Sequence, residues 1–413
     1  MRTLIQGGWV IGFQNGHHTI LQNGVIVMED DRIIHVGPHF DGTIDQTIEA
    51  RGKLISPGFV NIHAVANIDI QTLTLDCGEG GYASSQSYAL DGVGELELSG
   101  DRLAASAQFS LVQLLKGGST TIVEITTMAP SRFEVPRDEV PLLAQAATEL
   151  GARIYLSHKF RAGKRYVDVQ GIGHYHWDED SANAALDYGC EMVKRYEGAQ
   201  NGRLRTMLFP YQFDACTPEL LQAVKVSAKE LDVPVHMHTS QTLFEFHDCL
   251  RRYGRTPIQL LDDIDFLDDK TILTHVIYTT NHPQSGYPVG DKTDLQILAD
   301  HGTHVAHCPV VYARRDRILG SFARYREMGI NVPLGTDTFP QDMIEEMRWA
   351  VSGSTATPIG VRHGMSSMQP LSTGQKHWVE TILGDLPLVP KPISSLSILP
   401  ANILVRWPIR LKH

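Results

Sequence analysis

What this chain lacks narrows it before anything it contains. It has no run of about 18 apolar residues, so a membrane-spanning helix is not expected. Its opening residues, Met-Arg-Thr-Leu-Ile-Gln-Gly-Gly, lack the apolar core of a signal peptide. The five cysteines (Cys77, Cys190, Cys216, Cys249 and Cys308) are scattered, odd in number and form no CxxC pair. That excludes a disulfide framework or zinc ribbon and reads as reduced thiols in a cytoplasmic protein. Positive charge is also scarce: a formal net charge of −11 argues against nucleic acid or an anionic membrane as a partner. No Gly-rich phosphate loop, Walker motif or G-x-S-x-G is present. What remains is a soluble globular chain, 42% hydrophobic and 20% charged. Its 413 residues exceed one ordinary core, so a large barrel or two domains are expected.

Residues 1–56 read as short strands and tight turns, with Gly7-Gly8, Asn15-Gly16, Asn23-Gly24 and Asp30-Asp31 punctuating apolar stretches. From Gly58 the rhythm changes. Strands are expected at Gly58–His63, Thr120–Ile125, Arg153–Phe160, Arg205–Gln212, Pro234–Thr239, Thr271–Val276, Thr303–Pro309 and Asn331–Asp337. Segments with helical spacing lie between them, among them Leu103–Leu115, Val140–Leu150, Ala182–Arg195 and Leu220–Leu231. Eight strands alternating with helices predict parallel pairing, an α/β protein and a (β/α)8 barrel over residues 57–350.

In such a barrel the active site gathers at the C-terminal ends of the strands. Those ends carry Asn61 and His63, Glu124, His158 and Lys159, Tyr211 and Gln212, His236, His238 and Gln241, His275, His307 and Cys308, and Thr336 and Asp337. A scatter of 19 histidines would rarely favour strand ends so often. The pattern points to a metal site built from His63, His238, His275 and Asp337, whose neutral imidazoles and carboxylate suit zinc, or cobalt(II) or iron(II). His236 lies deeper on the face of His238 and reads as support for the ligands. Cys308 reads as buried packing rather than a nucleophile. His174 and His176 fall in a polar stretch read as a rim loop, and Asp262-Asp263 and Asp268-Asp269 read as a solvated turn.

Gly52-Lys-Leu-Ile-Ser-Pro-Gly-Phe-Val-Asn-Ile-His63 resembles the entry segment of the metal-dependent amidohydrolase superfamily. Val235-His-Met-His-Thr-Ser-Gln241, Leu273-Thr-His275, His307-Cys-Pro309 and Leu334-Gly-Thr-Asp337 extend the match over residues 1 to 350. The resemblance implies a (β/α)8 barrel with a small β-sandwich built from both chain ends. It also implies a divalent metal that activates water while Asp337 accepts its proton and His275 orients or stabilises the oxyanion.

Two departures narrow that expectation. The family usually carries His-x-His on strand one, and here Val65 follows His63-Ala. Asn61-Ile-His63 is instead similar to the Asn-x-His of phenylurea and molinate hydrolases. One metal is expected, with Asn61, His63, His238 and Asp337 as ligands; carboxylation of Lys159 is the weaker option. The second departure is Gln241, where related deaminases place a Glu that protonates a ring nitrogen. Gln cannot do so, which favours hydrolysis of a C–N bond in a urea, amide or carbamate. Tyr211, Gln241 and His307 would line the substrate. The alternatives are hydrolytic deamination or dechlorination of an N-heterocycle, or a catalytically inactive barrel. The expected partner is a small molecule, with self-association into a homo-oligomer left open. Tyr82, Tyr88, Tyr166, Tyr175, Trp177, Tyr278 and Tyr287 on the lining loops suit an aromatic ligand.

Residues 351–413 do not continue the pattern. They are rich in proline and show no clear period. Read from the third base of the codons, Val361 onward permits ARDVFNAATLGGA, and Gln375 onward permits ALGRDDLGRLAVGAKADIVVVD. The second string resembles the superfamily's usual closing segment, so a frameshift between Met347 and Val361 is expected to have replaced the last helix and sandwich strands; resequencing the coding DNA tests it.

Overall fold

The computed structural model describes residues 1–14, 17–65, 101–125, 139–167, 173–280, 282–286, 293–313, 319, 322–338 and 340–355. Most of the expected tail lies outside these residues, as do Cys77, Tyr82, Tyr88, Tyr287 and the side chain of Tyr166. The chain divides into two compact units between Phe59 and Val60.

The first unit is a sheet. Long strands β1 (Arg2–Gln14) and β2 (His17–Glu29) pair antiparallel, and β3 (Arg32–Gly37) pairs antiparallel with β2. Two short strands, β4 (Gln46–Glu49) and β5 (Leu54–Ile55), run parallel to β1. Ile5, Val10, Ile26, Ala50 and Ile55 form its core. The expected short strands and tight turns are thus two long ones with a register shift around Gly8. An added Cβ at Gly8 would meet the Lys53 carbonyl oxygen at 2.8 Å, so the close return of the chain requires glycine there. The described part of this unit is a single sheet; the expected second layer rests on residues outside the described ones.

The second unit alternates strands and helices. The strands are β6 (Phe59–Ala64), β7 (Ser119–Glu124), β8 (Arg153–Leu156), β11 (Leu204–Thr206), β12 (Val235–Thr239), β13 (Thr271–His275) and β14 (His304–Ala306). One sheet has the order β11-β8-β7-β6 and another β12-β13-β14. Parallel bridges at Leu208–Val235 and Gln212–His238 flank one side, and His307–Leu334 and Ala64–Asp337 the other. The eighth expected strand, Asn331–Asp337, therefore exists only as bridges at Leu334 and Asp337. β12 and β13 are buried at every position, as strands covered on both faces should be.

Helices α1 (Asp101–Lys116) and α2 (Glu139–Leu150) pack together through Leu103 and Leu142. Helix α3 (Glu179–Tyr196) begins at an Asp178 cap. After the strands on the other side, α4 (Pro218–Leu231), α5 (Leu243–Tyr253), α6 (Pro257–Asp263) and α7 (Asp294–His301) start on Thr217, Thr242, Thr256 and Thr293. Each Thr hydroxyl accepts a backbone N–H of the first turn, worth about 1 kcal/mol per cap. These caps mark where each loop turns into its helix. Helix α8 (Met343–Thr355) runs into the segment expected to have no period.

Residues 160–180 differ from the rim loop expected. They hold a hairpin, β9 (Gly163–Val167) with β10 (Gly173–Trp177). His174 and His176 are exposed on it, while Tyr175 Oη donates to Asp214 Oδ2 at 2.6 Å. The Tyr175 and Trp177 rings stack at 5.2 Å, and the Arg252 guanidinium lies 5.0 Å from the Trp177 ring. The expected solvated aspartates are also engaged: Asp268 accepts from Lys225 at 2.6 Å, and Asp262 pairs with His301 at 2.7 Å. Among the described residues, no helix is long and apolar enough to cross a membrane.

Candidate metal centre

At the end of β6, His63 is fully buried, and strands β12 and β13 bring His238 and His275 to it. The ring centroids lie 4.9 Å (His63–His238), 5.5 Å (His63–His275) and 5.3 Å (His238–His275) apart. One ligand nitrogen from each falls within 4.8 Å of the others. Asp337 reaches the same place, its Oδ2 3.7 Å from His275 Nε2. The backbone holds this approach under strain. Ser240, His275, Val276 and Asp337 all have positive φ, at 51°, 79°, 44° and 55°. For the β-branched Val276 that conformation is a true outlier, of the kind that clusters at functional sites.

Three of the imidazoles are neutral. Burial, and then the neighbouring imidazoles, hold His63 well below the ordinary histidine range; burial also lowers His236 and brings His238 down to about 4. Their tautomers are set from behind. His238 Nδ1 donates to the Tyr211 carbonyl oxygen at 2.6 Å, which leaves Nε2 with its lone pair. His63 Nδ1 lies 3.0 Å from His236 Nε2 and 3.2 Å from Thr274 Oγ1, while His63 Nε2 is buried without a hydrogen-bond partner. A buried nitrogen left so is costly unless something fills it. The donor set and this orphaned nitrogen fit a divalent ion of the zinc type.

Asn61, expected among the ligands, is held by hydrogen bonds to its neighbours. Its Oδ1 accepts from Thr336 N at 3.1 Å and His63 N at 3.3 Å, and its Nδ2 donates to Thr336 Oγ1 at 2.8 Å and Ser119 Oγ at 3.4 Å. Both lone-pair directions of the oxygen are occupied. Asn61 therefore ties strand one to the segment before Asp337, in a polar layer completed by Gln341.

The expected substrate residues divide. The Tyr211 ring faces His238 at 5.4 Å, with Lys159 Nζ 4.9 Å and Arg161 Cζ 5.3 Å from its centroid. Burial lowers Lys159 to about 7, with Arg161 adding to the effect. Gln241 Nε2 donates to Tyr312 Oη, and the Tyr312 ring lies 4.4 Å from that of His275. His307 is buried against Phe322 and belongs to neither donor group found among the described residues. Sequence reasoning missed Glu245. Its carboxylate accepts the N–H groups of Ser240 and Gln241 at 2.6 and 2.8 Å, and burial raises its pKa well above the usual carboxylate range. The signal was Thr242-x-x-Glu245, a capping pair at the start of α5.

Comparison with known proteins adds the family. Residues 54–372 match the model of the amidohydrolase family. The chain is 28% identical over 337 residues to 5-methylthioadenosine/S-adenosylhomocysteine deaminase 2 of Archaeoglobus fulgidus, covering 78% of this chain and 70% of that one. It is 29% identical over 360 residues to the corresponding deaminase of Desulforudis audaxviator, covering 85% and 73%. A 5'-deoxyadenosine deaminase of Methanococcoides burtonii is 26% identical over 353 residues, covering 84% and 72%. Among solved structures, an adenosine deaminase from Xanthomonas campestris with bound zinc has a TM-score of 0.65 at 19% identity, covering 85% of this chain and 73% of that one. An atrazine chlorohydrolase from Arthrobacter aurescens TC1, complexed with zinc, has a TM-score of 0.63 at 19% identity, covering 85% and 74%. These structures speak for the fold. The curated relatives do not support the phenylurea subgroup; they are named as deaminases, which matches the alternative drawn from the sequence better than its leading reading.

Proposed function

We propose, from the premise that this chain belongs to the amidohydrolase family, that it hydrolyses a substituent from an electron-poor carbon of an N-heterocycle, with deamination of a nucleoside-like substrate as the leading case. The observation that carries this reading is the His63–His238–His275 cluster with Asp337 beside it, in a chain whose relatives are named as deaminases. A divalent ion held there would act as a Lewis acid that makes water a nucleophile near neutral pH. His63 and His238 would hold it through their Nε2 atoms, with Asp337 beside them. Asp337 Oδ2 takes the proton of the attacking water and returns it to the departing nitrogen. A C–O bond forms, the C–N bond breaks and ammonia leaves. His275, 3.7 Å from that oxygen, orients the carboxylate. Tyr211, packed on His238, supplies an apolar wall for a flat ring.

Gln241 sets a limit on this chemistry. Its amide can hydrogen-bond a ring but cannot protonate it, and general acid catalysis is worth about 10²–10⁴ in rate. The same residue is the one observation that favours the urea or amide reading, where no ring nitrogen needs a proton. Both are tested by metal analysis of the purified chain together with a panel of an aminopurine nucleoside, a chlorinated triazine and an aryl urea. Ammonia from the nucleoside is expected, and Gln241→Glu should raise its release by about 100-fold or more. Aniline from the urea alone would overturn the deaminase reading. A metal-free chain with no turnover would mark an inactive barrel.

A further inference from the structure

Two groups of three donors occur among the described residues: His63 with His238 and His275, and His63 with Cys308 and Asp337. In each, the ligand atoms lie within 4.8 Å of one another and every residue is buried. The groups share His63, whose Nδ1 faces His236 and Thr274, so only Nε2 is left to bind. One imidazole nitrogen takes one ion. The two groups also meet where His275 Nε2 and Asp337 Oδ2 lie 3.7 Å apart. They are therefore not two sites but one centre with three nitrogens, a carboxylate and a sulfur around it.

We infer that Cys308 is a ligand of this centre, its thiolate sharing the ion with His63. The competing account is packing, since Cys308 also touches the apolar cluster of Phe246, Ile277, Tyr278, Val311 and Tyr312. Packing explains the burial of the cysteine but not the placement of its Sγ among a carboxylate and an imidazole whose Nε2 is orphaned in the interior. Strand β6 contributes a single imidazole, and Val65 after it is apolar, so the coordination position that a second imidazole would take is left open on that strand. A thiolate fills it and changes the selectivity: sulfur favours zinc and cobalt over magnesium and manganese. On binding, the S–H bond breaks, its proton leaves to solvent and the electron pair goes to the ion.

This inference rests on the reading that the imidazole cluster holds a divalent ion, and the test separates the two. The full chain is loaded with cobalt(II), its stoichiometry measured and its spectrum recorded. The expected result is one cobalt per chain with an intense near-ultraviolet sulfur-to-cobalt charge-transfer band. Cys308→Ser should lose that band while keeping its cobalt through the imidazoles. One bound cobalt without the band in the unmodified chain overturns the cysteine ligand and leaves the metal centre standing. No bound cobalt overturns both. Because the unmodified chain alone decides between these outcomes, a poorly folding Cys308→Ser variant does not remove the test.

Discussion

At the scale of single residues, His236 and Lys159 do work that their side-chain types do not announce. His236 faces His63 Nδ1 at 3.0 Å, and a metal ligand depends on the partner of its second nitrogen for its tautomer. His236→Leu should weaken zinc binding by about 10- to 100-fold with the fold intact by circular dichroism, and His236→Gln, which offers an acceptor oxygen, should restore much of it. Equal affinity in all three proteins would remove the positioning role. Lys159 is buried beside Arg161, and its pKa falls from an ordinary 10.5 to about 7. The folded state thus sheds this proton before the unfolded state does. As pH rises from about 7 towards 10.5, the unfolded chain holds more protons, so the lysine's contribution to stability increases, by up to about 1.4 kcal/mol per pH unit. Denaturant titrations of the unmodified chain and Lys159→Met should show a difference that grows in the favour of the former across that window. Parallel curves would mean that Lys159 is fully charged when folded.

At the scale of elements, the approach of the eighth segment to β6 controls the site. Asp337 N donates to His63 O at 2.9 Å, and Val65 N donates to Asp337 O at 3.0 Å. Gly335 makes that closeness possible, since an added Cβ would lie 2.7 Å from both the His63 Cβ and its carbonyl oxygen. No rotamer relieves a clash with backbone. Gly335→Ala should cost about 1–3 kcal/mol in thermal unfolding and lower bound metal at the same time, because moving the segment moves Asp337. Unchanged metal content and melting temperature would show that the segment has slack. The β9–β10 hairpin, in contrast, is tied through the Tyr175–Asp214 hydrogen bond and the contact of Arg252 with Trp177, and these residues belong to neither donor group found among the described residues.

At the scale of the whole molecule, stability and metal occupancy should be linked. Donors from β6, β12, β13 and the segments at Cys308 and Asp337 converge on one point, so an ion there ties together chain positions separated by up to 274 residues (337 − 63). An ion present at a thousandfold above its Kd adds about 4 kcal/mol to the folded state. Chelation should therefore lower the melting temperature of the unmodified chain and leave that of His238→Ala unmoved. An equal response in both would place the ion elsewhere.

The sequence by itself determined the alternation of strands and helices from Gly58 onward, because periods of two and of 3.6 are local properties. It also placed His63, His238, His275 and Asp337 at strand ends, where a parallel α/β fold collects its chemistry. Tertiary structure alone decided what those residues meet. Asn61, read as a ligand, turned out to have its oxygen occupied by Thr336 and His63. Cys308, read as packing, has its sulfur among donors, and His236 lies against a ring 173 positions away. Such contacts follow from the register between distant strands and from the close passage that Gly335 permits. Register is a property of paired backbones, and no pattern within one strand records it.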